Sequence, residues 1–342
     1  MKKFFMFAAM ASVALASCTK NEPAASVEQG EAIVFNSPVV APVTKATSAL
    51  ETLHQNFGAY AYYSTVDYTG TNEVCYLSNR EFTPNKTGET VNYWGTTNAY
   101  WPKNGKLTFV AYAPKSGVNV PTPDAEETDA AKLTLNYTVP NAIASQVDVL
   151  YSAWVADKTS EDQASNDYNA TGIEIPFHHA LSAVKFQVKA ASTAVAPFMK
   201  IKGITLSGVK NSGTLTVPYG DDPAWDDQNG TATYTVLAAA TDVTSSIGFD
   251  DVAAVDLNSG TQFILLPQEG TANLNIEYFI KADDGSWLLQ STGETPISLP
   301  MDWEIGTRYT YTLVFNLDEI KLAPVVEEGW ADVTPDAVNG VL

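Results

Sequence analysis

Apolar and polar residues alternate with a period of two along most of this chain. Leu133, Leu135, Tyr137 and Val139 are interleaved with Thr134, Asn136 and Thr138. Val184, Phe186 and Val188 alternate with Lys185, Gln187 and Lys189, and Leu274, Ile276, Tyr278 and Ile280 alternate with Asn273, Asn275 and Glu277. Tyr309, Tyr311, Leu313, Phe315 and Leu317 form one longer stripe. Successive side chains leave a pleated backbone on opposite sides, so each pattern predicts an antiparallel strand with one buried face. Phe263 to Leu266 is a continuous apolar run, which predicts a strand covered on both faces. Ala32-Ile33-Val34-Phe35 predicts a first strand, and Val39, Val40 and Val43 carry the apolar content past Pro38 and Pro42. Asn104-Gly105, Asn211-Ser212-Gly213 and Asp283-Asp284-Gly285 read as hairpin tips. A sustained 3.6 period is absent, and only Ala142 to Tyr151 leaves room for a short helix. The pattern predicts an all-β protein built of β-sandwiches.

The chain has 342 residues, enough for two domains of ordinary size after loss of a leader. The segment from Pro176 to Ala183 lies between two groups of strands, so the expected division is 32–178 for an N-terminal sandwich and 179–342 for a C-terminal sandwich with a tail. Residues 18–31 are polar and aperiodic over most of their length and read as a tether.

The first seventeen residues have the form of a signal peptide: Lys2 and Lys3, then an apolar run from Phe4 to Leu15 too short to cross a bilayer comfortably. Leu15-Ala16-Ser17-Cys18 resembles a bacterial lipobox, in which Cys18 is acylated and becomes the mature N-terminus. The alternative is an ordinary leader in which Cys18 is incidental. Acyl chains contribute about 0.8 kcal/mol per buried methylene, and more than one of them anchors stably. Thr19, not Asp, follows Cys18, which favours delivery to the outer membrane of a diderm bacterium. Lys20-Asn21-Glu22 partly matches a basic-then-acidic tag for surface export.

Net charge is −20. Such a surface repels nucleic acid and anionic membrane, so neither is an expected partner. Hydrophobic residues make up 45% of the chain, enough to fill two cores, so the acidity does not signal disorder. With Cys18 assigned to lipid, Cys75 has no partner for an intrachain disulfide and reads as a small buried apolar residue.

Candidate chemistry is sparse. His178 and His179 are adjacent on an extended chain and point to opposite faces, so they cannot chelate one ion alone. Trp94 and Trp101 with Tyr93 and Tyr100 could stack on a sugar or fill a core. Asp221, Asp222, Asp226 and Asp227 with Gly230 are the weak candidates for a cation site, but they lack EF-hand spacing and read first as a solvated hairpin loop. GxSxG, Walker, HExxH and GxGxxG signatures are missing, so neither an enzyme nor a cofactor is expected.

Six blocks in order resemble the fimbrillins of Bacteroidetes. Tyr100-Trp101-Pro102, Gly105 and Leu107 to Pro114 are similar to their "WP…G…F.AY.P" block. Asp148 to Ala153 resembles "DLLYA", and Ile175 to Phe186 resembles "L.F.HALS.VKF", the most specific of the set. Ile204 to Gly208, Leu266-Pro267-Gln268, and Trp303 through Gly306 to Tyr311 complete the series. The resemblance implies two tandem transthyretin-like antiparallel β-sandwich domains in a non-catalytic subunit or accessory component of surface fimbriae. It further implies a lipoprotein precursor whose first strand, 32–45, is removed by a protease cutting after a basic residue. A strand from another fimbrial subunit then fills the groove. Thr44-Lys45-Ala46-Thr47 matches that cleavage site, with Lys45 and Ala46 flanking the cut; the alternative is an uncut loop lysine. Val325, Trp330, Val333, Val338 and Val341 are the donor-strand candidates, although Gly329, Pro335 and Gly340 interrupt the tail and a packed final strand is the other reading. A host protein or a glycan is a candidate adhesive ligand. The rival function is a glycan-binding outer-membrane surface lipoprotein of a polysaccharide-utilisation system.

Overall fold

The computed structural model describes residues 30–36, 38–39, 51–52, 55–71, 73–88, 90–124, 131–164, 172–249 and 252–330. Among them the regular structure is strand, interrupted only by single turns of 3-10 helix. The room for a helix between Ala142 and Tyr151 is used for one such turn, Ile143–Ser145. The longest stripe is a strand at Thr307–Phe315 with Tyr309, Tyr311, Leu313 and Phe315 buried. It stops short of Leu317, which is exposed, because the chain reverses there and Asn316 N–H bonds back to Glu319 O at 2.8 Å.

The first sandwich is one continuous ladder of eleven strands. Its path runs from Ile173–Glu174 through the leading strand Ala32–Asn36 to Thr90–Tyr100, then Val74–Thr87, Phe57–Ser64, Lys106–Ala113, Leu150–Ser152 and Phe177–His179. It ends on Pro38–Val39 and Glu51–Thr52, and Val155–Lys158 joins Lys106–Ala113 at the side. The 14-residue strand Val74–Thr87 serves both layers, pairing with Phe57–Ser64 through its first half and with Thr90–Tyr100 through its second. A bulge holding Asn79 at φ 47° lies where it passes between them. Cys75, near its start, is half-buried rather than buried, with Sγ 3.4 Å from Leu77 O.

The second sandwich has two six-stranded sheets, one centred on Ser182–Ala190 and Thr307–Phe315, the other on Met199–Val209 and Glu269–Lys281. Phe263–Leu265 lies on the first of these, and Phe263, Leu265 and Leu266 are all buried. A further four-stranded sheet pairs Lys132–Thr138 with Ser212–Pro218, so it takes strands from both sides of residue 178. The strand Phe177–His179 itself runs across that division.

Sheet pairing is not uniformly antiparallel. Ser182–Ala190 runs parallel to Thr307–Phe315, from Ala183 opposite Arg308 to Ala190 opposite Phe315. Of the three expected hairpin tips, Asp283-Asp284-Gly285 joins neighbours, with Lys281 opposite Trp287. The other two are crossovers. The strands flanking Asn104-Gly105 lie in different layers, and those flanking Asn211-Ser212-Gly213 lie in different sheets. Turn residues reverse the chain in either case; the pairing depends on where the next buried face fits.

The core divides accordingly. One cluster, from Ile33 and Phe35 to Phe177, fills the first sandwich. A larger one runs from Tyr60, Tyr62 and Tyr112 through Leu135 and Tyr137 to Phe315 and Trp330, so apolar packing is continuous between the sandwiches. Tyr68 meets Tyr219 edge-on at 4.7 Å, and Trp225 Nε1–H donates to Ala180 O at 2.6 Å.

Candidate functional site

The leading strand is the part of the fold with the most unusual attachment. Its local sequence, Ala32-Ile33-Val34-Phe35-Asn36, sets three β-favouring residues in succession, and Ile33 and Phe35, on one face, are fully buried. It is antiparallel to Thr90–Tyr100, with Ala32 opposite Tyr100 and Phe35 opposite Trp94, and parallel to Ile173–Glu174. The Phe35 ring meets Phe57, Phe82 and Phe109 edge-on at 5.6, 4.8 and 5.1 Å. Each partner ring is itself fully buried. Edge-to-face pairs of this kind add to the burial term, which is about 1.5–3 kcal/mol for a whole apolar side chain.

The ladder shifts register between Ala32 and Val34, and the Val34 N–H is bound by a side chain, that of Gln163. This side chain is 4% exposed, and all four of its hydrogen-bonding valences reach the leading strand or its neighbour. Oε1 accepts from Val34 N–H at 2.9 Å and from Trp101 Nε1–H at 3.0 Å. Nε2 donates to Glu31 Oε1 and to Ala32 O, each at 3.0 Å. Gly172 completes the clamp. At φ +120°, a Cβ there would lie 2.6 Å from the Phe35 carbonyl carbon, so only glycine admits the strand so close.

The ribbon then changes layers. Pro38–Val39 joins the opposite end of the same ladder, with Val39 parallel to Phe177 and antiparallel to Glu51. The leading segment therefore supplies the strand next to each end of the first sandwich's ladder. Lys45 and Ala46 lie outside the described residues, in the stretch between the paired strands Pro38–Val39 and Glu51–Thr52. Cys18 also lies outside them, as do Val333, Val338 and Val341.

Of the tail candidates, Val325 is partly buried against the large core cluster. Val326–Gly329 is a strand antiparallel to Thr307–Phe315, and Trp330 N–H bonds to Gly306 O at 2.9 Å. Trp330 is 8% exposed and stacks flat on His179, with ring centroids 4.1 Å apart and 4° between planes. His179 Nδ1 lies 2.9 Å from Asp148 Oδ2. His178 stacks instead on Tyr151 at 5.5 Å. Burial, and secondarily the charge of His179, push the His178 pKa below its ordinary value.

The remaining candidates do not assemble into a site. Asp221, Asp222, Asp226 and Asp227 are all exposed, around the strand Ala224–Asn229. Among the described residues, no group of three His, Cys, Asp or Glu side chains is placed to hold a metal. Trp94 is 1% and Trp101 5% exposed, so neither presents a face to a sugar. No described helix is long and apolar enough to cross a membrane. Gln163 and Gly172 escaped the sequence reading. They lie on either side of a polar, aperiodic run, and their partners in the leading strand are more than a hundred residues away.

The fold has known relatives. A fimbrial protein from Bacteroides vulgatus superposes with a TM-score of 0.61 at 22% identity, covering 87% of this chain and 99% of that one. Candidate cell adhesion proteins from Bacteroides uniformis and Parabacteroides distasonis superpose with TM-scores of 0.50 and 0.51. Their identities are 15% and 12%, covering 88% and 90% of this chain and 98% and 99% of theirs. A comparison with curated proteins returns no match. The family model described as fimbrillin-like matches residues 44–330, beginning one residue before Lys45. The chain belongs to the fimbrillin-like family.

Proposed function

We propose that this protein is a non-enzymatic structural or adhesive component of cell-surface fimbriae, assembled by removal and replacement of its leading strand. The observation that carries the reading is the burial of Ile33 and Phe35 in a groove lined by Phe57, Phe82 and Phe109 and paired on both layers. Withdrawing that ribbon strips backbone partners from Thr90–Tyr100 and Phe177–His179 and opens an apolar slot; a strand from another subunit restores both. Until then the chain's own strand blocks premature assembly.

The rest of the cycle follows from the sequence. The leader, 1–17, directs export, and Cys18 carries the lipid that holds the precursor at the outer membrane, facing outward. Cleavage between Lys45 and Ala46 separates the lipid and leading strand from residues 46–342, whose two lobes divide near 178. The tail is the part offered to a neighbour, through Val325, Trp330, Val333, Val338 and Val341. Since Val326–Gly329 and Trp330 are seated in the protein's own second sandwich, donation from residue 325 onward requires that strand to leave its sheet. Partners are other fimbrial subunits, with a host protein or glycan as the adhesive ligand.

N-terminal sequencing of protein taken from the native cell surface tests this reading. A start at Ala46, with SDS-resistant ladders, is expected. Surface protein that is cut beyond Lys45 yet keeps the Ile33–Phe35 segment bound and is joined to no other subunit overturns it.

A further inference from the structure

The groove carries a sequence requirement that can be compared with the tail that is offered as donor. Two side chains of the leading strand, Ile33 and Phe35, point into the first sandwich and are wholly buried. They are two residues apart, as any strand laid in the groove must place its inward side chains, in either direction. The second position sits between three aromatic rings at centroid distances of 4.8 to 5.6 Å, a space that an aliphatic side chain leaves partly empty. Between them, the backbone N–H of Val34 is bound by Gln163 Oε1 at 2.9 Å, and the carbonyl of Ala32 accepts from Nε2 at 3.0 Å. A proline in the middle position would remove one of the two donors to Gln163 Oε1.

The stretch 325–342 reads VVEEGWADVTPDAVNGVL. Nowhere in it do two large apolar residues stand two apart. Val325 and Val326 are each followed at that spacing by Glu, Trp330 by Asp332, Val333 by Pro335 and Val338 by Gly340. Ala331 before Val333 is the nearest approach, and it offers a methyl group where Ile33 stands and an isopropyl group where Phe35 stands. The last aromatic, Trp330, already lies on His179.

We infer that the groove selects a donor of the form large aliphatic, any residue except proline, aromatic, and that its occupant in a fimbrium is a strand of a different subunit rather than residues 325–342 of a second copy. This rests on the strand-replacement reading above and narrows its partner. The protein would then add to a fimbrium next to another kind of subunit and would not polymerise with itself through this groove.

The test uses the full chain with a specific endoprotease site replacing residues 43–47, cut and then incubated with labelled peptides. One has the sequence of residues 29–39, a second carries Phe35→Ala, a third is 325–342, and a fourth is 325–342 with Ala331→Ile and Val333→Phe. Uptake is read as co-migration on native gels and by intact mass. The expected result is uptake of the first peptide, at least hundredfold weaker uptake of the second and third, and recovery of at least tenfold in the fourth. If the unaltered tail peptide enters within tenfold of the first, or the fourth gains nothing, the selectivity is refuted while strand replacement stands. If the first peptide itself never displaces the nicked strand, strand replacement is refuted and the selectivity falls with it.

Discussion

Gln163→Leu isolates the attachment of the leading strand from the rest of the fold. Leucine nearly conserves volume but removes all four hydrogen bonds. Two donors, Val34 N–H and Trp101 Nε1–H, are left facing an apolar side chain. An orphaned buried donor costs about 1–3 kcal/mol, so the pair costs roughly 2–6 kcal/mol. Burial of the leucine offsets part of this, leaving a net of about 3 kcal/mol. At about 1.4 kcal/mol per tenfold, the open state of the strand becomes on the order of a hundredfold more populated. The loss is local, because Trp101 N–H to Glu31 O and Ile175 N–H to Asn36 O, both 2.9 Å, remain. Native-state hydrogen exchange read by mass spectrometry is the assay, comparing a peptide that covers Ala32–Asn36 with one that covers Phe263–Leu265 in the second sandwich. The first should exchange about a hundredfold faster and the second at its original rate. Acceleration below threefold at the leading strand would show that Gln163 does not hold it, and equal acceleration in both would show a general loss of stability. Gln163→Glu adds a control. It keeps the two acceptor bonds but sets a carboxylate where Nε2 now donates to Glu31, so the strand should loosen at neutral pH and tighten again as that pair takes up a proton.

Other expected outcomes concern single groups. Gly172→Ala should lower stability by at least about 1–3 kcal/mol, read from the urea midpoint, since φ +120° and a 2.6 Å approach to the Phe35 backbone both oppose a Cβ; an unchanged midpoint would contradict the close packing. His178 has its pKa lowered by burial and by His179, so the unfolded chain binds more protons between the lowered value and the ordinary 6.5. The stability it contributes is therefore complete above about pH 6.5 and falls as the pH drops through the window below. His178→Asn should flatten that slope in denaturation measured from pH 7.5 to 5, and a slope that persists unchanged would remove His178 as its source. Trp330→Ala deletes a ring that is 8% exposed and stacked on His179 at 4.1 Å; a loss of about 3 kcal/mol is expected, and a midpoint equal to wild type would mean that the tail is not seated in solution.

Alternation reported most strand faces, with Thr134 buried against the pattern and Leu317 exposed. Leu133, Leu135, Tyr137 and Val139 are all buried, as are Val184, Phe186 and Val188, because the period of two is a property of the local backbone. It was silent on partners. Ser182–Ala190 alternates in the same way whether its neighbour is parallel or antiparallel, and its parallel pairing with Thr307–Phe315 joins residues more than a hundred positions apart. The turn residues were silent in the same respect. Asp283-Asp284-Gly285 and Asn104-Gly105 both reverse the chain, but the first returns it to the same sheet and the second carries it to the other layer.

The candidate site shows the same division between local and distant information. A first strand at Ala32–Phe35 was legible from its apolar run, but which side chains face inward was not, because Ile33, Val34 and Phe35 are apolar in succession. The clamp was not legible. Gln163 stands 129 residues from Val34, and nothing in the polar run around it marks one glutamine as buried. Nor could the burial of Trp101 be separated from a sugar platform by composition alone; its indole N–H decides the matter by ending on Gln163 Oε1 at 3.0 Å. The strand and its pocket are thus encoded in different ways. The strand's side chains carry a short pattern that another segment could copy, whereas the pocket that reads the pattern exists only after the chain has closed over a hundred residues. Under the proposed exchange, an incoming strand has to match two side-chain positions and one backbone N–H.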